Sequence, residues 1–408
     1  MAADPRQHRL QGDIGERRVP RDRRRTDRRV RRSSAEARRL VDEYFRSGAT
    51  RARELGNRGP VRFAPNGGSL HPEIEEAYRR CGFYVFESLI DEGELDELHA
   101  GLAEMLARAP AGSRIDVPDR EITSQDRARP AFAFAKPLSD PYGGTEANYG
   151  RHPAKMSEPE PADDAPDETL YFVYGILQGA EACLRLYGHP DLLRIAAAIN
   201  GPDFTPFGDS IWIKEPGLGT SVAWHQDGTT HWGHANWDEN IHGFNFMAQL
   251  CRTTPENALW VVPGSHKLGK IDIKARVDAV GTDRLPDAVP MLCEPGDVAI
   301  CNRQALHGSF ANTSADRRVS IVIGFHRRDA VLNVEKKQRN GETVIYDEDR
   351  VRQRSRAIQV AIDARAQRYP HETPYVYQPF VGEEADNRYT EATRKSVLQG
   401  YHLLNLGI

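Results

Sequence analysis

The sequence predicts a mainly β protein with flanking helices (α+β), a sandwich or jelly roll, and two observations carry that expectation. Between about residues 205 and 330, short β-rich runs alternate with Gly, Pro, Asn and Asp turns. They are Ser210-Ile211-Trp212-Ile213, Gly243-Phe244-Asn245-Phe246-Met247, Ala258-Leu259-Trp260-Val261-Val262, Asp297-Val298-Ala299-Ile300 and Val319-Ser320-Ile321-Val322-Ile323. Many short strands with frequent turns favour packed antiparallel sheets over βαβ units. On either side of this stretch, apolar residues recur at helical spacing instead.

Taken in order, residues 1–32 read as a disordered Arg-rich arm, because Arg21 to Arg32 offers almost nothing to bury. A solvated tail is the plain reading; attraction to nucleic acid or membrane, or a targeting peptide, is the functional one. Residues 33–59 read as a helical linker: Ser33 and Glu36 form a capping box, Ala37, Leu40, Val41, Tyr44 and Phe45 follow at helical spacing, and Gly48 can end the helix. One compact domain is expected over 60–408. Within it, His71 to Cys81 suggests a short helix and Gly82-Phe83-Tyr84-Val85-Phe86 a strand. Asp91 and Glu94 cap a helix whose stripe is Leu95, Leu98, Leu102, Met105 and Leu106, with Pro110 beyond it. Residues 111–168 show little periodicity, so they are either a lid or a surface excursion. Helices are expected over Leu170–Tyr187 and Asp191–Asn200, and after the β-rich core over Asp347–Arg368, within a helical C-terminal extension from about 331 to 408.

Composition narrows the class. The 408 residues are 39% hydrophobic with a net charge of −4, but residues 1–60 hold 18 arginines, no lysine and 9 acidic groups, a net +9 that leaves −13 for the rest. Five scattered cysteines without a C-x-x-C argue against a disulfide framework or a thiolate zinc site. No apolar run is long enough to span a bilayer and no apolar h-region opens the chain. A soluble, cytoplasmic protein is expected, of undetermined oligomeric state.

The chemistry is carried by His225-Gln226-Asp227 and a distant His307 in Leu306-His307-Gly308-Ser309. In a strand, residues i and i+2 point to one side, so His225 and Asp227 can reach one ion while Gln226 turns away. Two histidines and one carboxylate on one face leave open positions opposite, the arrangement used by non-haem Fe(II) oxygenases. Such a centre is net positive and suits an anionic 2-oxo acid. His231 and His234 lie close enough in sequence to make a zinc site with His225 instead, while His266 reads as a turn residue. Arg317 and Arg318 both offer a guanidinium for a carboxylate, strand register decides which points inward, and Ser309 and Ser320 can add hydroxyls. Trp224, Trp232 and Trp237 line a pocket or fill the core.

Four pieces together resemble the phytanoyl-CoA dioxygenase family of Fe(II)/2-oxoglutarate-dependent oxygenases: Gly82 to Phe86, Trp224 to Asp227, Pro255 to His266, and Pro295-Gly296-Asp297 through His307-Gly308-Ser309 to Arg318. The resemblance implies a double-stranded β-helix (jelly-roll, cupin-like) core at about 205–330. It implies Fe(II) held by His225, Asp227 and His307, with 2-oxoglutarate on iron and on Arg318, and Ser309 assisting. The implied reaction uses O2, with ascorbate as a supporting reductant, and couples release of succinate and CO2 to hydroxylation of a small-molecule or acyl substrate. The carboxylate at 227 favours hydroxylation over halogenation, because related halogenases carry a small residue there. No Gly-rich phosphate cradle marks a CoA ester. The competing readings are a non-catalytic metal-binding jelly roll, a zinc hydrolase using the local histidines, and a nucleic-acid protein using the arm.

Overall fold

The computed structural model describes residues 23–65, 67–109, 130–337, 343–399 and 401. It divides into two units, Met1–Tyr44 and Phe45–Ile408. The first unit, over its described residues, is helix. That helix runs Arg23–Glu54, starting ten residues before the Ser33 capping pattern and passing through Gly48. Arginine is a good helix former and no Gly or Pro interrupts residues 23–47, so residues 23–32, expected as an arm, are helical; residues 1–22 lie outside the described residues. Gly48 does not end the helix because it serves packing. A Cβ there would sit 2.4 Å from the Trp260 ring.

The strands of the second unit are β1 Arg58–Gly59, β2 Phe83–Phe86, β3 Ala131–Ala135, β4 Thr169–Tyr174, β5 Thr205–Lys214, β6 Val222–His225, β7 Phe244–Gln249, β8 Trp260–Val261, β9 Val289–Pro290, β10 Val298–Asn302, β11 His307–Ser309, β12 Arg318–His326, β13 Glu335–Lys337 and β14 Thr343–Ile345. One sheet runs β1-β2-β10-β7-β12-β5-β4-β3 and a second runs β6-β11-β8-β9, while β13 and β14 make a hairpin. Period-two alternation assigns the faces. Val298 and Ile300 of β10, Phe244, Phe246 and Ala248 of β7, and Val319, Ile321, Ile323 and Phe325 of β12 join the helices in the large core. Their alternates Ala299, Cys301, Met247 and Val322 meet Val261 and Val289 of the other sheet. The two sheets therefore face each other as a jelly roll, and Asn245, Gln249, Arg318 and Ser320 point into the space between them.

Several helices match their sequence signals. His71 caps Pro72–Cys81 by accepting from Glu73 N, and Asp91 caps Glu92–Leu106 by accepting from Glu94 N at 2.8 Å. The long helix Glu348–Arg368, which precedes a last helix Glu391–Leu398, is fixed to Glu92–Leu106 by a buried ion pair, Arg365 Nη1 to Glu94 Oε1 at 2.6 Å and Nη2 to Oε2 at 3.0 Å.

Two expectations fail on strands. Leu170–Tyr187 is not one helix: β4 occupies Thr169–Tyr174, followed by a turn at Ile176–Gly179 and a helix at Glu181–Tyr187. Tyr171-Phe172-Val173-Tyr174 is aromatic with one β-branched residue, both kinds favoured in strands, and it pairs between β3 and β5. The 111–168 segment contains β3; of the remainder, residues 111–129 lie outside the described residues. After β3 the chain forms an ordered loop around Asp140, whose carboxylate accepts from the backbone N–H of Gly143 at 2.9 Å and Met156 at 2.8 Å.

Candidate metal centre and its surroundings

His225 ends β6 and His307 begins β11, and the two are direct cross-strand partners. Eighty-two positions apart in sequence, their rings lie 4.1 Å centroid to centroid. Asp227 follows the end of β6, where its N–H donates to Arg303 O at 2.7 Å. One ligand atom each from His225, Asp227 and His307 lies within 4.8 Å of the others. Gln226 does turn away: its Nε2 donates to Gly269 O at 2.9 Å and Gln304 O at 2.7 Å, and its Oε1 accepts from Ile271 N at 2.8 Å.

The donor chemistry fits a divalent cation. His225 Nδ1 lies 2.8 Å from Ala223 O, and His307 Nδ1 lies 2.8 Å from Ala305 O. Each carbonyl fixes the Nδ1–H tautomer, so each Nε2 lone pair faces the cluster. Burial, then His307 and His152, hold the His225 imidazole well below its ordinary range, so it is neutral. Burial alone would push the Asp227 carboxyl up, but Arg151 and Arg303 outweigh it and hold the group ionised.

Asp227 is held on both oxygens. Arg151 Nη1 donates to Oδ1 at 2.8 Å and Asn245 Nδ2 donates to Oδ2 at 3.1 Å, with Arg303 Nε 3.8 Å from Oδ2. The His152 ring packs at 4.4 Å against His225, and Tyr142 stacks at 5.2 Å on His152. The segment read as a lid or an excursion thus supplies a wall of the site. Behind Asp227, the wholly buried Arg303 donates from Nη1 to His242 O at 3.1 Å and sits over the Phe207 ring at 3.8 Å. Gly228 adopts φ 95°, and a Cβ there would lie 2.4 Å from His242, so the turn after the motif requires glycine.

The other residues singled out by sequence divide cleanly. Arg317 lies outward on Glu215 at 2.8 Å, whereas Arg318 is buried on the inward face of β12. Arg318 Nε donates to Ser320 Oγ at 2.9 Å and Nη1 to Asn257 O at 3.0 Å. Among the described residues no carboxylate pairs with it, and burial pulls its guanidinium down to about 10, still protonated at neutral pH. Ser309 is buried on β11, but among the described residues its hydroxyl makes no hydrogen bond to Arg318; Ser320 does. His231 and His234 lie 5.6 Å apart and do not join His225 in a metal-binding group among the described residues. His266 sits in the turn Ser265–Lys267. Trp224 is core, donating to Asp283 O, whereas Trp232 lines a cavity beside the motif.

A family profile described as phytanoyl-CoA dioxygenase (PhyH) matches residues 78–320, more than half of the chain and the whole of the His-Asp-His cluster. The chain belongs to the phytanoyl-CoA dioxygenase family. Among relatives, L-proline trans-4-hydroxylase from Streptomyces griseoviridis is 24% identical over 198 residues, covering 43% of this chain and 74% of its own. Phytanoyl-CoA dioxygenase 1 from Oryza sativa subsp. japonica is 28% identical over 118 residues, 27% of this chain and 41% of its own. The crystal structure of EctD from S. alaskensis with 2-oxoglutarate and 5-hydroxyectoine overlays with a TM-score of 0.44 at 18% identity, covering 68% of this chain and 85% of that one. For AviO1 from Streptomyces viridochromogenes the values are 0.41, 22%, 62% and 93%. Likeness at this level assigns no substrate.

For this phytanoyl-CoA dioxygenase family member, sequence reasoning missed Arg151, His152, Asn245 and Arg303. Asn245 alone left a signal, as a polar residue at an alternate position with Gln249 in an otherwise apolar strand. No local pattern marks Arg151, which reaches Asp227 across 76 positions.

Proposed function

We propose that the protein is an Fe(II)- and 2-oxoglutarate-dependent dioxygenase that hydroxylates a small-molecule or acyl substrate with release of succinate and CO2. The observation that carries this reading is Arg318. A buried guanidinium is costly unless an anion pairs with it, and Arg318 points into the inter-sheet space with no carboxylate partner among the described residues. The far carboxylate of 2-oxoglutarate supplies that partner, as a planar bidentate match.

His225, Asp227 and His307 would hold the iron. Bound Fe(II) supplies the coordination positions for the 2-oxo acid and O2 and the oxidising chemistry itself. The remaining work falls to the protein's own residues. Ala223 O and Ala305 O keep each imidazole in its ligating tautomer, and Arg151 and Asn245 fix the Asp227 carboxylate. Ser320, itself donating to Gln249 Oε1 at 2.7 Å, aims Arg318 along β12. The site lies between buried strands, which excludes bulk water from the cosubstrate. L-proline trans-4-hydroxylase, a relative named for a small-molecule reaction, is in keeping with a small-molecule substrate. Five free thiols, four of them buried, suit the reducing cytoplasm.

Succinate release from 2-oxoglutarate with Fe(II) and ascorbate tests the reading. Arg318→Ala should raise the 2-oxoglutarate concentration needed for half-maximal release by at least tenfold, with iron affinity unchanged, and Arg318→Lys should recover only part of the loss. No succinate from the wild type with any candidate substrate, or equal losses for iron and 2-oxoglutarate in Arg318→Ala, would count against it.

A further inference from the structure

A cavity of about 390 Å³ opens beside the metal centre, lined by Arg151, Gln226 and Gly228 among others. Its volume suits a small molecule. Arg151, Lys270 and Lys336 supply three cations to its lining against the single carboxylate of Glu335. These cations are not equivalent. Arg151 is engaged with Asp227 at 2.8 Å, and the Lys336 ammonium lies 4.2 Å from the centre of the Tyr149 ring. Lys270 has no ion pair or side-chain hydrogen bond among the described residues. Its backbone, however, is held from both sides: the Gln226 amide accepts from Ile271 N at 2.8 Å and donates to Gly269 O at 2.9 Å. Gln226 itself is buried, at 5% exposure. The middle residue of the metal motif therefore anchors the backbone on both sides of Lys270, which lines the cavity.

We propose that the substrate carries an anionic group, a carboxylate or a phosphate, and that Lys270 is the specificity-determining residue that receives it. The inference rests on the dioxygenase reading and adds the substrate class. A cleft lined mainly by one sign of charge concentrates ligands of the opposite sign, and with the backbone around Lys270 already anchored the ordering cost on binding falls on its side chain alone. Trp232, Ile271 and Ile273 also line the cavity and give an apolar body somewhere to pack.

The test uses the full chain loaded with Mn(II) and 2-oxoglutarate, so that no turnover is required. Acetylation of Lys270 is followed by mass spectrometry in the presence of hexanoate, hexyl phosphate or hexanamide. Hexanoate or hexyl phosphate should slow acetylation of Lys270 at least fivefold while hexanamide leaves it unchanged. Protection by one anion alone would name carboxylate or phosphate as the group. Calorimetry should then show the protecting anion bound at least tenfold more weakly by Lys270→Ala and retained by Lys270→Arg. Equal protection by hexanamide, no protection by any probe, or undiminished binding to Lys270→Ala would overturn the proposal. Mn(II) affinity is measured on the same samples: metal binding without anion binding defeats this inference only, whereas a wild type that binds no metal defeats the dioxygenase reading.

Discussion

At the scale of single residues, the site is a carboxylate fixed by groups from three separate parts of the chain. His225 and Asp227 were legible because i, i+2 spacing in a strand puts both on one side. Arg318 was legible as one of two adjacent arginines, with strand alternation deciding between them. The groups that hold Asp227 were not legible, since Arg151 and Arg303 meet it only through the fold. Asn245 gives the cleanest measure of that support, because its amide donates to Asp227 Oδ2 from a rigid strand. Asn245→Leu should weaken divalent metal binding by roughly 10- to 100-fold with little change in thermal midpoint. Unchanged affinity by calorimetry would show that Asp227 needs no such orientation.

At the scale of elements, long-range pairing decided what periodicity could not. The run Tyr171 to Tyr174 is too short for its period to distinguish strand from helix, and it becomes a strand because β3 and β5 flank it. The Asp91/Glu94 capping signal placed the start of Glu92–Leu106 correctly because its information is local, whereas the Ser33/Glu36 pattern fell inside a helix that begins at Arg23. On β5, Asp209 is buried with Oδ2 accepting from Leu177 N at 3.1 Å, and burial raises its carboxyl to about 7. Its folded-state value lies above the unfolded one, so its contribution is fully favourable below about pH 4 and is lost as pH rises towards 7. Asp209→Asn should therefore gain stability relative to the wild type between pH 4 and 7.5, measured as the difference in thermal midpoint. A pH-independent difference would contradict this. The Glu94–Arg365 pair joins Glu348–Arg368 to Glu92–Leu106. Arg365→Met leaves a buried carboxylate unpaired and should cost about 3–5 kcal/mol in denaturant unfolding; a loss below about 1 kcal/mol would mean that the extension is only loosely attached.

At the scale of the whole molecule, two sheets bring together residues that sequence keeps far apart. β6 and β11 set His225 against His307 in one sheet, while β7 and β12 of the other present Asn245 and Arg318 to the same interior. The jelly roll was legible from strand density and turn chemistry, since both are local. Its outer strands β3 and β4 were not, because their partners are set by topology, and neither were β13 and β14, which at three residues each are too short to show a period. Anaerobic calorimetric titration with Fe(II) tests the centre most directly. One equivalent should bind per chain, binding should be lost in Asp227→Ala and in His307→Ala, and 2-oxoglutarate should bind tightly only after the metal. Undiminished iron binding in either variant, or no iron binding by the wild type, would contradict a single centre built from His225, Asp227 and His307.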